Sequence, residues 1–437
     1  MHAKPAPTAA TRNWFGQPPG LTVLFLTNMW EQFSYFGMRA LLVYYMTRQL
    51  MLSQGQASFV YGAYTACAYF TPIVGGMIAD RWLGKRRAVT LGATIMATGH
   101  FMMAFEPLFY VALATIALGN GLFLPSLPSQ INDLYAPGDP RRGWAYNVYY
   151  LGINIGGFLA PLICGTLGEI YGWHYGFGAA GIGMFVGLLI YLAGQRHLPP
   201  ERSPQAGADE SETVTGPADY RRTWLVLAAV GLCVTVFRGA YEQVGNTVAL
   251  WADSGIDRRL GSLTIPMTWF QSLNPLLVMM LTPPLLSMWR RRAEHGRDTA
   301  PARRMMQGAL IVAMAYALLA AVAWQAGSGK ADWLWLVLFF ALFTAGELFI
   351  LPTGLGLFAR LAPPRLGATT VAAWYLAIFA GSLGAGLVGT LWSRMGHGTY
   401  FALLAVIAVI AAVLLRLLDP AVRRVAEEHR TGGPTDA

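Results

Sequence analysis

Hydrophobic residues fall in twelve long runs along this chain, roughly 20–48, 57–79, 88–106, 108–132, 143–169, 174–194, 223–251, 263–289, 305–327, 332–361, 366–393 and 397–418. About 20 apolar residues wound as a helix cross the hydrocarbon layer of a bilayer. The pattern therefore predicts an all-α membrane protein with twelve transmembrane helices. The first run is interrupted by Asn28, Glu31, Gln32, Tyr35 and Arg39, which recur at i, i+3, i+4, i+7 and i+11 and so share one helix face. A carboxylate and a guanidinium at membrane depth each cost on the order of 3 kcal/mol. Such a stripe is expected to face a water-filled cavity or a partner helix.

Other runs carry polar faces of the same kind. The second has Tyr61, Tyr64 and Tyr69, and the fifth has Asn147, Tyr150 and Asn154. The seventh has Arg238, Tyr241, Glu242 and Asn246 at helical spacing, the tenth has Glu347 shortly before Pro352, and the eleventh has Trp374. The charges well inside the runs are Glu31, Arg39, Arg238, Glu242 and Glu347, three acids and two arginines that nearly balance if they meet across one cavity. Asp133, Glu169 and Asp253 sit at run ends and read as interfacial anchors. His100 stands alone and reads as a structural histidine rather than a proton relay.

Composition agrees with the pattern. The 437 residues are 55% hydrophobic and 12% charged, against about 25% charged in a soluble protein, and the mean hydropathy is +0.44. The formal charge of +9 would suit nucleic acid, but its distribution argues otherwise. Twenty-four Lys and Arg fall in the two tails and alternate loops, and five fall in the opposite loops. That bias predicts both termini in the cytoplasm and makes the lipid bilayer, not nucleic acid, the partner. The longest polar interruption, 195–222, holds Pro199, Pro200, Pro204, Pro217 and an acidic patch at 208–212. It reads as a flexible cytoplasmic linker between two six-helix bundles, 20–194 and 223–418, with cytoplasmic tails at 1–19 and 419–437. Cys67, Cys164 and Cys233 read as small buried hydrophobes without disulfide or metal spacing. The first 19 residues have no cleavable signal pattern, so the first helix is expected to act as its own insertion signal. No exposed nucleophile with a base, metal cluster or soluble catalytic domain is legible, so an enzyme is not expected.

The loop after the second run, Gly75 to Arg87, resembles the signature loop of the major facilitator superfamily, Gly-x-x-x-Asp-Arg-x-Gly-Arg-Arg in outline, through Gly76, Asp80, Arg81 and Gly84. Its small residues would let two helices approach, and Asp80 would cap a helix end or pair with an arginine in one state of a rocking cycle. The alternative is positive-inside anchoring alone. The equivalent place in the second half, Trp289 to Arg292, is basic but lacks the Asp-Arg pair.

Further stretches make the resemblance narrower. Glu31 to Met46 looks like the first helix of the proton-dependent oligopeptide transporters, whose pattern is Glu-x-x-Glu-Arg-Phe-x-Tyr-Tyr-Gly-Met-Arg. Tyr149 to Gly157, Phe237 to Gln243, Phe270 to Pro275, Gly346 to Leu348 and Pro352 to Leu355 match that family's other segments. The resemblance spans nearly all twelve runs. It implies a major facilitator fold and proton-coupled uptake of di- and tripeptides, with protons as the coupling ion and no cofactor or metal. It also implies residue roles. Arg39 and Glu242 would form an ion pair tied to proton movement, with Glu242 the proton site and Glu31 a further proton-coupling residue, and Glu347 would face the peptide amino end. Tyr35, Tyr69, Asn154 and Trp374 match binding positions.

The departures fall on charge. Asn28 replaces the first glutamate of the motif, Gln32 its arginine, and Leu124 the lysine of the fourth-helix Gly-x-x-Lys-Pro. Phe36 replaces a tyrosine and Arg238 a tryptophan. The family's positive groups facing the peptide carboxylate are thus absent, and Arg238 with Arg39 is expected to supply the positive end of a repositioned carboxylate site, with Gln32 also a substrate-binding residue, unless Arg238 simply neutralises Glu242 or Glu31. The leading expectation is a proton-coupled peptide transporter of the inner membrane, functional as a monomer. The alternatives are the same fold with an amine-bearing or C-terminally modified peptide or with drug efflux, and a sensor that does not transport.

Overall fold

The computed structural model describes residues 16–136, 139, 141–200, 220–296, 299–362 and 366–430. They fold into helices α1 (Pro19–Arg48), α2 (Gln54–Ile78), α3 (Lys85–Met102), α4 (Phe109–Asp133), α5 (Arg141–Ala160), α6 (Thr166–Ile170) and α7 (Trp173–Gly194). After the linker come α8 (Arg221–Tyr241), α9 (Thr247–Ser254), α10 (Leu273–Glu294), α11 (Pro301–Ala326), α12 (Leu334–Arg360), α13 (Gly367–Gly389) and α14 (His397–Arg430). A π turn, Pro161–Gly165, joins α5 to α6, and a 3-10 turn, Glu242–Gly245, joins α8 to α9. Four two-residue strands and several further short π and 3-10 turns lie between the helices. Of the strands, β1 (Ile256–Asp257) pairs parallel with β4 (Ala331–Asp332), and β2 (Arg259–Leu260) pairs antiparallel with β3 (Leu263–Thr264).

Among the described residues, eight helical stretches are long and apolar enough to cross a bilayer, including Arg141–Ile170 and Arg221–Ser254 as continuous spans. Helices α1, α2, α3 and α10 fall short for reasons visible in their sequences. α1 and α2 carry the polar stripes, α3 opens on Lys85, Arg86 and Arg87, and α10 ends on Arg290 to Arg292. Local signals set many of the ends. Pro19 and Pro301 open α1 and α11, where a missing N–H costs nothing. Ser53 and Gln56 exchange bonds as a capping box at the start of α2.

Two boundaries differ from expectation. α10 begins at Leu273 rather than near 263, because the β2–β3 hairpin and a 3-10 turn, Met267–Ser272, occupy the intervening residues. α14 continues to Arg430, so the first part of the expected C-terminal tail is helical. The apolar run stops at 418, but the buried face continues through Val422 and Val425. Asp419, 2% exposed, is paired by Arg303 at 3.2 Å and Arg423 at 3.1 Å. The acidic patch at 208–212 lies outside the described residues. Cys164 and Cys233 are buried as expected, whereas Cys67 is exposed on α2.

The apolar core is divided. One cluster of buried side chains draws only on residues from Val226 to Val425, and two others draw only on residues from Leu21 to Leu198. A small fourth set, Val43, Tyr44, Ala249 and Met267, crosses between them. Polar links follow the same crossing. Arg48 pairs with Asp253, Tyr44 Oη donates to Ala249 O at 2.7 Å, and Ser58 Oγ donates to Asn246 Oδ1 at 2.9 Å. Gln54 Nε2 donates to Gly389 O at 2.8 Å. Glu169 accepts from the Met267 and Thr268 backbone N–H groups at 3.0 and 2.9 Å and from Thr268 Oγ1 at 2.6 Å. These links stand beside the loops that follow α1, α6, α9 and α13. There α2 and α13 touch backbone to backbone: a Cβ on Gly62 would lie 2.4 Å from the Gly386 Cα.

Candidate functional site

Between the two sets of helices lies a cavity of about 280 Å³. Its α1 wall is the stripe read from the sequence: Glu31, Gln32, Tyr35 and Arg39 all line it. Tyr69 from α2, Asn154 from α5 and Glu347 from α12 line it too, so seven of the expected site residues meet there. The departures Phe36 and Leu124 are also wall residues. Helical spacing brought these side chains to one face of each helix, and packing then turned those faces toward each other.

Glu242 stands just behind the wall and is 1% exposed. Arg39 Nη2 donates to its Oε2 at 2.5 Å across the cavity's seam, and Arg238, one helical turn before it, pairs with its Oε1. Ser382 Oγ donates to the same Oε1 at 3.4 Å. Arg39 Nε donates to Tyr61 Oη at 2.6 Å. This crowding depends on Gly245, since a Cβ there would come 2.0 Å from the Tyr61 hydroxyl oxygen. The break after α8 makes the room. Gln243 staples it, donating to Gly239 O at 3.0 Å and Ala385 O at 2.8 Å and accepting from Thr247 Oγ1 at 3.0 Å. The expected unbroken line from Arg238 to Asn246 therefore ends at Tyr241, and Asn246 takes a non-helical conformation with φ −115°.

Two expected substrate contacts are not on the cavity wall. Arg238 is 2% exposed and its guanidinium carbon lies 5.0 Å from the Tyr69 ring and 4.6 Å from the Tyr241 ring. Gly381 makes space for it, as a Cβ there would be 2.4 Å from the Arg238 Cβ. Its ion-pair partner among the described residues is Glu242. Trp374 is also buried, packed on Phe358 and over Gly354. Its neighbour Tyr375 instead stacks on Tyr69, centroids 6.5 Å apart. One residue on a helix is a rotation of about 100°, which a match of sequence alone does not resolve.

Sequence reasoning gave no site role to the groups that hold Glu347. Tyr241 Oη donates to its Oε1 at 2.7 Å and Asn274 Nδ2 to its Oε2 at 2.6 Å. Tyr241 was visible as part of the polar face of α8. Asn274 stands at the start of α10, next to Pro275, and only the fold aims it at α12. Glu31 accepts from Gln32 Nε2 at 2.7 Å. His100 is fully buried, as a structural histidine would be, though its ring nitrogens have no partner among the described residues.

The loop after α2 folds as a π turn, Ala79–Leu83. Gly84 has φ +77° and ψ 159°, a conformation essentially reserved to glycine. The close helix approach falls at Gly75, whose added Cβ would meet Gly121 O at 2.1 Å, rather than at Gly76, which touches Pro125 at ordinary distance. Asp80 and Arg81 are exposed, and Asp80 has no ion pair among the described residues. Lys85 pairs instead with Asp133 at 2.7 Å, and Arg86 donates to the carbonyls of Leu198 and Pro199. Asp133, Glu169 and Asp253 are thus all paired or hydrogen-bonded at helix ends.

The fold is that of a multi-pass helical membrane protein with a polar cavity between two sets of helices, crossed by one buried ion pair. The chain belongs to the POT family, matching its PTR2 family description over residues 86–211 and 212–402. It is 31% identical over 474 residues to the uncharacterized transporter YclF of Bacillus subtilis, covering 94% of this chain and 96% of that protein. It is 30% identical to the peptide transporter YePEPT of Yersinia enterocolitica, with 96% and 97% covered. Among solved structures, a peptide transporter POT in complex with sulfate superposes with a TM-score of 0.86 at 28% identity, covering 95% of this chain and 97% of that one.

Proposed function

We propose that this chain is a secondary active transporter of the cytoplasmic membrane, taking up di- and tripeptides or peptide-like molecules by alternating access with proton coupling. The observation that carries the reading is the Arg39–Glu242 bond of 2.5 Å, which ties the two sets of helices together at the cavity. The relatives' names as peptide transporters support the substrate class.

The proposed topology is twelve spans with both termini cytoplasmic, in bundles 20–194 and 223–418 joined by 195–222. Twenty-four basic residues in the tails and alternate loops support that orientation. The polar links beside the loops after α1, α6, α9 and α13 then close the outer end. Two rocking bundles need a latch that can be released. Protonating Glu242 removes the charge that holds Arg39, and the seam can then part. One proton moving through about 100 mV supplies roughly 2.3 kcal/mol. Asp80, exposed at the opposite end, would pair with an arginine when that end closes. A monomer contains the whole cavity.

The test is uptake by the full-length protein in proteoliposomes, using di- and tripeptides and their amine derivatives, with and without an inward proton gradient. Gradient-driven accumulation is expected, and Glu242→Gln is expected to abolish it while leaving exchange down a substrate gradient. Undiminished uphill uptake by Glu242→Gln would remove Glu242 from coupling. Failure of the native protein to exchange any of these compounds would remove the transport reading.

A further inference from the structure

The carboxylates on the cavity wall differ from Glu242 in what they touch. Glu31 accepts from the Gln32 amide, and Glu347 accepts from the Tyr241 hydroxyl and the Asn274 amide. All of these donors are neutral, and among the described residues neither carboxylate has an ion-pair partner. The one basic side chain on the described wall is Arg39. Its Nη2 is engaged by Glu242 and its Nε by Tyr61. Arg238 is shut behind Tyr69 and Tyr241. Aromatic side chains make up much of the remaining wall, including Tyr35, Phe36, Tyr150 and Phe343.

An acid held at membrane depth by neutral donors lacks countercharge, and a ligand ammonium supplies it. Aromatic faces attract the same cation. A ligand carboxylate meets the reverse: two acids, and a single guanidinium whose charge Glu242 already balances. We propose, resting on the transport reading above, that the cavity selects cationic peptide-like amines whose carboxyl end is absent or neutral, such as C-terminal peptide amides, over zwitterionic peptides. The amine sits at Glu347 or Glu31, and the uncharged end lies along the Gln32 and Leu124 wall.

The experiment is counterflow of labelled dialanine amide by the full-length protein in proteoliposomes, competed by unlabelled dialanine amide or free dialanine. The amide is expected to compete at a concentration about tenfold lower, equivalent to about 1.4 kcal/mol. Gln32→Arg, which sets a guanidinium beside Glu31, is expected to shrink or reverse that ratio. Leu124→Lys does the same from α4 should the first variant not reach the membrane. Free dialanine competing as well as the amide, or a ratio that neither variant moves, overturns the inference and leaves the transport reading standing. Absence of counterflow with either compound, together with absence of exchange across the wider peptide panel, overturns both.

Discussion

The break after α8 and the α1 wall of the cavity each hold a glutamate that is 1% exposed, and they treat it in opposite ways. Glu242 has a guanidinium on each carboxylate oxygen, one from the end of α8 just before it and one from α1 across the seam. Glu31 has a single neutral amide from the next residue along. Equal burial therefore says little about role; the partners decide it. A carboxylate bracketed by two cations is a fastening whose loss leaves charges stranded. A carboxylate served by a neutral donor has no cation committed to it and can take one from something that enters the cavity.

The largest expected effect breaks the first half of that contrast. Glu242→Gln leaves Arg39 and Arg238 without their acid, and removing one partner of a buried ion pair costs about 3–5 kcal/mol. Glu31→Gln exchanges one neutral-donor bond for another and should stay within about 1 kcal/mol. Thermal unfolding of both variants in detergent measures the difference, and equal losses would show that the two sites are not distinct. Next, Gly245→Ala drives a methyl into the Tyr61 hydroxyl. Overpacking of that kind costs about 2 kcal/mol and should weaken exchange as well as stability. Unchanged exchange would mean that Tyr61 does not hold Arg39 for transport.

Tyr241→Phe sharpens the second half. It removes one of two donors from Glu347, a bond to a charged group worth about 1.5 kcal/mol, while the ring that covers Arg238 remains. Substrate KM should change more than thermal stability does; a stability loss with KM intact would make the contact purely structural. The smallest effect lies at the surface. Lys85→Ala removes a half-exposed ion pair with Asp133 and should cost less than about 1 kcal/mol, fading as salt rises. A larger, salt-independent loss would assign that pair a structural weight comparable to the buried cluster.

Much of this site was legible beforehand because helices repeat. Residues three, four, seven and eleven apart share a face, so Glu31, Gln32, Tyr35 and Arg39 could be grouped from spacing, and the cost of charge in a membrane gave them a cavity to face. The same logic failed where the helix itself failed. Arg238, Tyr241, Glu242 and Asn246 share one face by spacing, and Arg238 does pair with Glu242, but α8 gives way after Tyr241 and Asn246 leaves the line. Arg238 turns behind two tyrosine rings and Tyr241 turns to Glu347. Trp374 illustrates a finer limit, since matching a motif locates a turn of helix but not which side of it meets the cavity.

Hydropathy and charge asymmetry are sums over neighbouring residues, so the chain on its own determined the membrane class, the position of nearly every helix and the polar stripe on α1. The tertiary structure alone decided partnership. Arg39 and Glu242 are 203 residues apart, and their bond exists only because Gly245, the broken end of α8 and the packing of α1 place them within reach. Local sequence sets the energy of each segment, whereas a contact across the seam depends on how two independently packed cores are set against each other, which no local pattern encodes.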